Sequence, residues 1–76
     1  MPTNWKKASL SEYNIHKVAE GIDGENYYAY VHPYGQVIVM RETIANGDIL
    51  FADGKFDLTQ AWTDKATLNY KVRSKI

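Results

Sequence analysis

Apolar and polar residues alternate along this chain in short runs, each closed by glycine, asparagine, aspartate or proline. Between Asn26 and Val31 the order N-Y-Y-A-Y-V sets Tyr27, Ala29 and Val31 on one side and Tyr28 with Tyr30 on the other. That is the two-residue period of a β-strand. Gln36 to Glu42 repeats it, with Val37, Val39 and Arg41 opposite Ile38 and Met40, and predicts the central strand. Both faces of the implied sheet are apolar enough to be covered at least in part.

Punctuation between the runs predicts the connections. In His32-Pro33-Tyr34-Gly35 the proline presets the backbone angle of a first turn position and the glycine permits a positive φ, so a hairpin is expected. Thr43 to Asp48 ends in Asn46-Gly47 and leads to a third run, Ile49 to Ala52; Asp53-Gly54 turns the chain again before Lys55-Phe56-Asp57-Leu58. Upstream, Tyr13 to Glu20 holds Ile15 and Val18 without clean alternation, but Gly21 and Gly24 around the Ile22–Asn26 turn favour a strand paired with Tyr27–Val31 over a helix. Ser9 precedes Glu12 at capping-box spacing, which allows one helical turn. Asp57 to Lys65 reads as a loop or short 3₁₀ turn that plants Trp62 on the sheet, and Thr67 to Val72 as a half-buried closing strand with Leu68, Tyr70 and Val72 on one face. The expected fold is mainly β: a single domain over residues 1–76, one small antiparallel sheet in a meander of four to five strands, able to curl, with a short N-terminal helical turn at most. Residues 1–8 and 73–76 are expected to be loose ends.

Composition narrows the function. A chain of 76 residues holds one core and a small stability margin, which makes association with other subunits an expectation. The absence of cysteine removes disulfides, thiolate metal sites and cysteine nucleophiles. No run resembles a signal peptide or approaches the roughly 20 apolar residues that span a bilayer, so a soluble, cytoplasmically made product is expected. Nine basic and nine acidic side chains cancel, which favours neither nucleic acid nor a membrane surface. The cancellation hides a segregation: residues 20–64 hold eight acids against Arg41 and Lys55, and the two ends hold seven bases against Glu12. Either the ends neutralise the acidic loops within one molecule, or the surface is two-faced and docks head to tail.

Catalytic constellations are not apparent. His16 and His32 form no HExxH or His-x-His pattern, the serines at 9, 11 and 74 lack a nucleophile elbow, and the five glycines are isolated turn residues without a phosphate-binding loop. Asp48, Asp53 and Asp57 are spaced to converge around one hairpin end, yet Asp-Gly and Gly-Asp are also what turns require, and the spacing is not that of a calcium loop. No enzyme activity, metal or cofactor is expected. The unusual feature is aromatic: Tyr27, Tyr28, Tyr30 and Tyr34 with Trp62 either fill the small core and its rim or present an interface to a protein partner. Stacking of nucleic-acid bases would need a basic groove, and this stretch is acidic. The expected partner-binding residues are Tyr28, Tyr30, Tyr34, Trp62, Asp48 and Asp53.

The blocks Tyr27-Tyr28-Ala29-Tyr30-Val31, Val37-Ile38-Val39-Met40-Arg41-Glu42, Phe51-Ala52-x-Gly54 and Ala61-Trp62-Thr63-Asp64-Lys65-Ala66-Thr67-Leu68-Asn69-Tyr70 resemble, in this order, a group of small uncharacterised tailed-phage and prophage proteins. The likeness covers residues 27 to 70 and departs at Ala29, where the group's pattern has glycine, and at Val37, where it has tryptophan. What the resemblance implies is a phage or prophage origin and a virion structural or accessory subunit of the tail, baseplate, fibre-attachment or capsid-decoration kind. Such a protein would be made in the host cytoplasm and taken into the virion, with copies of itself or virion neighbours as partners. The alternative it implies is an inhibitor of a host defence protein acting through an acidic, aromatic surface.

Overall fold

The computed structural model describes residues 12–72. They form β1 (Asn14–Ile22), β2 (Glu25–Val31), β3 (Val37–Thr43), β4 (Ile49–Asp53) and α1 (Leu58–Thr63). The four strands make one open antiparallel sheet in the order β1-β2-β3-β4, the meander that the alternation predicts.

Each hairpin follows from its turn residues. Asp23 (φ 50°) and Gly24 (φ 80°) both sit in the left-handed region, the type I′ geometry whose twist matches flanking strands, and pair Ile22 with Glu25. At the β2–β3 turn the Gly35 N–H donates to the His32 carbonyl at 2.7 Å and the His32 N–H to the Gln36 carbonyl at 2.8 Å. In the β3–β4 loop Gly47 N–H donates to Thr43 O at 2.8 Å and Thr43 N–H to Asp48 O at 2.9 Å.

β1 is an edge strand that carries two bulges. His16 has no partner between the pairs Ile15–Tyr30 and Lys17–Ala29, and Glu20 with Gly21 opposes Asn26 alone. Asn26 Oδ1 accepts the Gly21 N–H at 2.9 Å, which satisfies the amide the second bulge frees.

Two apolar clusters lie on the two sides of the sheet. Tyr27, Val37 and Val39 pack with Ala61 of α1, joined by Val31, Leu58, Trp62, Leu68 and Tyr70. Ile38 and Phe51 pack with Tyr13 on the other side, joined by Tyr30 and Met40.

Two expectations are corrected. Residues 58–63 are an α-helix and not a loop or 3₁₀ turn. Asp57 caps it by accepting the Gln60 N–H at 3.0 Å, and Thr63 Oγ1 donates to the Thr59 carbonyl at 3.0 Å in its last turn. Thr67–Val72 is no strand: Lys71 alone pairs with Phe51, through two backbone bonds of 2.7 Å. Tyr70 turns toward α1, its hydroxyl donating to the Lys65 carbonyl at 2.6 Å and its ring under the Arg41 guanidinium at 4.5 Å. Leu68 and Tyr70 share a side as expected, while Val72 is exposed. The helical turn expected at Ser9–Glu12 and both loose ends lie largely outside the described residues. Among these, no helix is long and apolar enough to cross a membrane.

Candidate functional site: the sheet face opposite the helix

Register decides which side chains meet. Val18, Tyr28, Met40 and Phe51 form one cross-strand row; Ile15, Tyr30 and Ile38 form the next. Directly paired residues share a face, so the two rows make one surface, opposite α1. Ile38 and Phe51 are buried at its centre under Tyr13, and Tyr28, Tyr30 and Met40 are half-buried. Ile15 and Val18 are 55% and 50% exposed. The Tyr30 hydroxyl reaches Met40 Sδ at 4.0 Å. Burial, and secondly the neighbouring Tyr28, raises the Tyr30 hydroxyl above the usual tyrosine pKa.

At the β2–β3 end this surface continues into an aromatic stack. His32 is buried, with the edge of Tyr13 at 5.0 Å on one side and the Tyr34 ring stacked at 5.1 Å on the other. Its Nδ1 accepts the Tyr34 N–H at 3.2 Å, and Nε2 lies 3.8 Å from Glu12 Oε1. His32 is therefore a buried histidine that orients Tyr34. Tyr34 is 55% exposed.

The six residues expected to bind a partner are thus divided. Tyr28, Tyr30 and Tyr34 belong to one continuous region. Trp62 is on α1, across the sheet, half-buried in the helix-side cluster with Lys65 Nζ 4.7 Å from its ring centre. Asp48 sits exposed just before β4 and Asp53 at its end, so the two carboxylates mark opposite ends of the strand and do not converge. Asp53 is engaged internally: its Oδ1 accepts from Gln36 Nε2 at 2.7 Å and from the Lys55 N–H at 2.8 Å.

Ile15, Val18 and Met40 were not anticipated as surface residues. The signal was present but misleading: Ile15 and Val18 stand three apart, which is not strand spacing, and the His16 bulge brings them to one face.

On the helix side, Asp53, Gly54, Lys55, Asp57, Gln60, Ala61, Asp64 and Leu68 line a cleft of about 190 Å³. That is smaller than the roughly 300–1,000 Å³ of sites for drug-sized molecules. There Asp57 Oδ1 accepts the Gln60 N–H as the N-cap of α1, and Asp64 Oδ2 accepts from the Gln60 side-chain amide at 2.7 Å. Among the described residues no group of three or more histidine, aspartate or glutamate side chains is arranged to hold a metal.

No protein-family model, curated protein sequence or solved structure matches this chain.

Proposed function

We propose that this chain is a non-enzymatic protein-contact subunit, a phage or prophage virion component whose sheet face opposite α1 packs against neighbouring copies or other virion proteins. The observation that carries the reading is that face: exposed Ile15 and Val18 continue into half-buried Tyr28, Tyr30 and Met40 as one aromatic and aliphatic surface. The resemblance of residues 27–70 to small tailed-phage proteins supplies the virion context.

Two physical arguments shape the contact. β1 and β4 are the two edges of the sheet; Lys71 bridges Phe51 on the outer side of β4, and the two bulges of β1 leave only Lys17-Val18-Ala19 regular, too short a stretch to template a ladder. The face therefore offers more than the edge. Four strands about 4.8 Å apart and about 20 Å long give a face of roughly 400 Å², half the roughly 800 Å² per partner of a standard stable interface. Such an area favours a subunit held by several neighbours in an array over an isolated tight dimer.

Sedimentation of the protein over a concentration series tests this, beside the paired variant Tyr28→Ser/Tyr30→Ser. The wild type should associate with rising concentration, and the variant, still folded by its melting curve, should lose at least about tenfold in association constant. A wild type that stays monomeric at the highest concentrations and is missing from purified particles would reject the proposal.

A second reading, an inhibitor that covers a basic site on a host defence protein, is favoured by the acidic stretch 20–64, which holds eight acids against Arg41 and Lys55. Asp48→Lys reverses an exposed charge without touching the bonds of Asp53. Loss of a captured partner in that variant alone would support this reading, and unchanged capture would reject it.

A further inference from the structure

We propose that Asn46 is a site of spontaneous deamidation, which converts the β3–β4 loop into a second, more acidic form with time. Asn46 and Gly47 are both exposed, Gly47 has φ +73°, and a Cβ placed on it would meet nothing within 4 Å, so no side chain crowds the glycine that follows Asn46. The Asp48 N–H donates to Asn46 Oδ1 at 3.0 Å. The ring that bond closes contains the Gly47 nitrogen, so the carboxamide is already folded over the amide that would attack it. The same N–H points at the oxygen that gains negative charge during attack, as an oxyanion donor does.

The reaction needs only water. The Gly47 nitrogen gives up its proton to solvent base and bonds to Asn46 Cγ; the side-chain nitrogen takes a proton and leaves as ammonia; a five-membered succinimide closes. Water then adds to one of its two carbonyls and opens the ring to an aspartate or an isoaspartate. Opposing it is the Gly47 N–H bond to Thr43 O at 2.8 Å. An exposed backbone hydrogen bond of this kind slows a reaction that must break it by no more than about tenfold.

Among the described residues the other asparagines lack these features, and Asp23-Gly24, equally open, has no side-chain amide to lose. Asn14, Asn26 and Asn69 precede Ile15, Tyr27 and Tyr70, whose side chains shield the attacking nitrogen. At Asp53-Gly54 the Gly54 N–H is held by the Val37 carbonyl at 2.8 Å within the core. Either product adds a carboxylate beside Asp48, and isoaspartate also lengthens the main chain inside the loop that sets the β3–β4 register.

The test keeps the folded full chain and a synthetic peptide of residues 43–48 side by side in mildly alkaline buffer and maps both by mass spectrometry. The expected result is an amide-to-acid mass gain at position 46 of the folded chain, at no less than about a tenth of the peptide's rate, ahead of every other asparagine. Asn46→Gln, with its carbonyl carbon one methylene further away, should slow the gain on the order of 100-fold. A slower rate at position 46, or an unchanged gain in Asn46→Gln, would overturn the proposal.

Discussion

Gly54 and Val37 approach so closely that a Cβ on the glycine would lie 2.7 Å from Val37 Cγ1 and 3.0 Å from the Ala61 Cβ. Gly54 N–H donates to Val37 O at 2.8 Å, and Val37 N–H to Lys55 O at 2.7 Å, so the backbone there is tied to the start of β3. The missing side chain lets α1 reach the sheet. Gly54→Ala should therefore overpack the contact and cost about 1–3 kcal/mol, read from chemical denaturation. An unchanged midpoint would show that α1 can ride outward without loss.

Asp57 supplies the helix cap through its bond to Gln60. Asp57→Ala should cost about 0.5–2 kcal/mol. Asp57→Asn, which keeps an oxygen acceptor, should recover most of it; equal losses in both would assign the effect to charge.

Burial, with the neighbouring Tyr27 adding to it, pushes the Tyr70 hydroxyl well above the ordinary tyrosine value of 10.0, and Arg41 only partly offsets this. The folded state therefore holds the proton after the unfolded chain has released it. The stability contributed is fully present below pH 10 and declines as pH rises above that value toward the folded-state pKa. Denaturation midpoints measured across the alkaline range should fall for the wild type and fall less steeply for Tyr70→Phe, whose lost bond to Lys65 lowers stability by about 1 kcal/mol at neutral pH. Parallel curves for the two proteins would remove Tyr70 as the source.

Deleting His16 should close the first β1 bulge without turning Ile15 or Lys17 to the wrong face, since each keeps its present partner, Tyr30 or Ala29. The longer regular edge should then self-associate more strongly than the wild type in sedimentation, because bulges are among the devices that keep edges unpaired. No change in association would mean that the second bulge, or the charges of Lys17 and Glu20, suffices.

Local chemistry made the meander legible. Alternation in 26–31 and 36–42 sets the faces of β2 and β3, and Gly24, Gly35 and Gly47, all at positive φ, mark their hairpins, because strand period and turn geometry are properties of a few adjacent residues. What the sequence left undecided depended on partners far along the chain. The His16 bulge gathers Ile15 and Val18 onto one face only against the register of β2, and α1 becomes a helix only where Asp57 caps it and Gly54 admits Ala61. Tyr28 and Trp62 carry the same amphipathic chemistry in the sequence. They stand on opposite sides of the sheet because β2 alternation fixes one, while the packing of α1 on Tyr27, Val37 and Val39 fixes the other. Which aromatic rings share a surface is a question of long-range packing, and only the folded chain answers it.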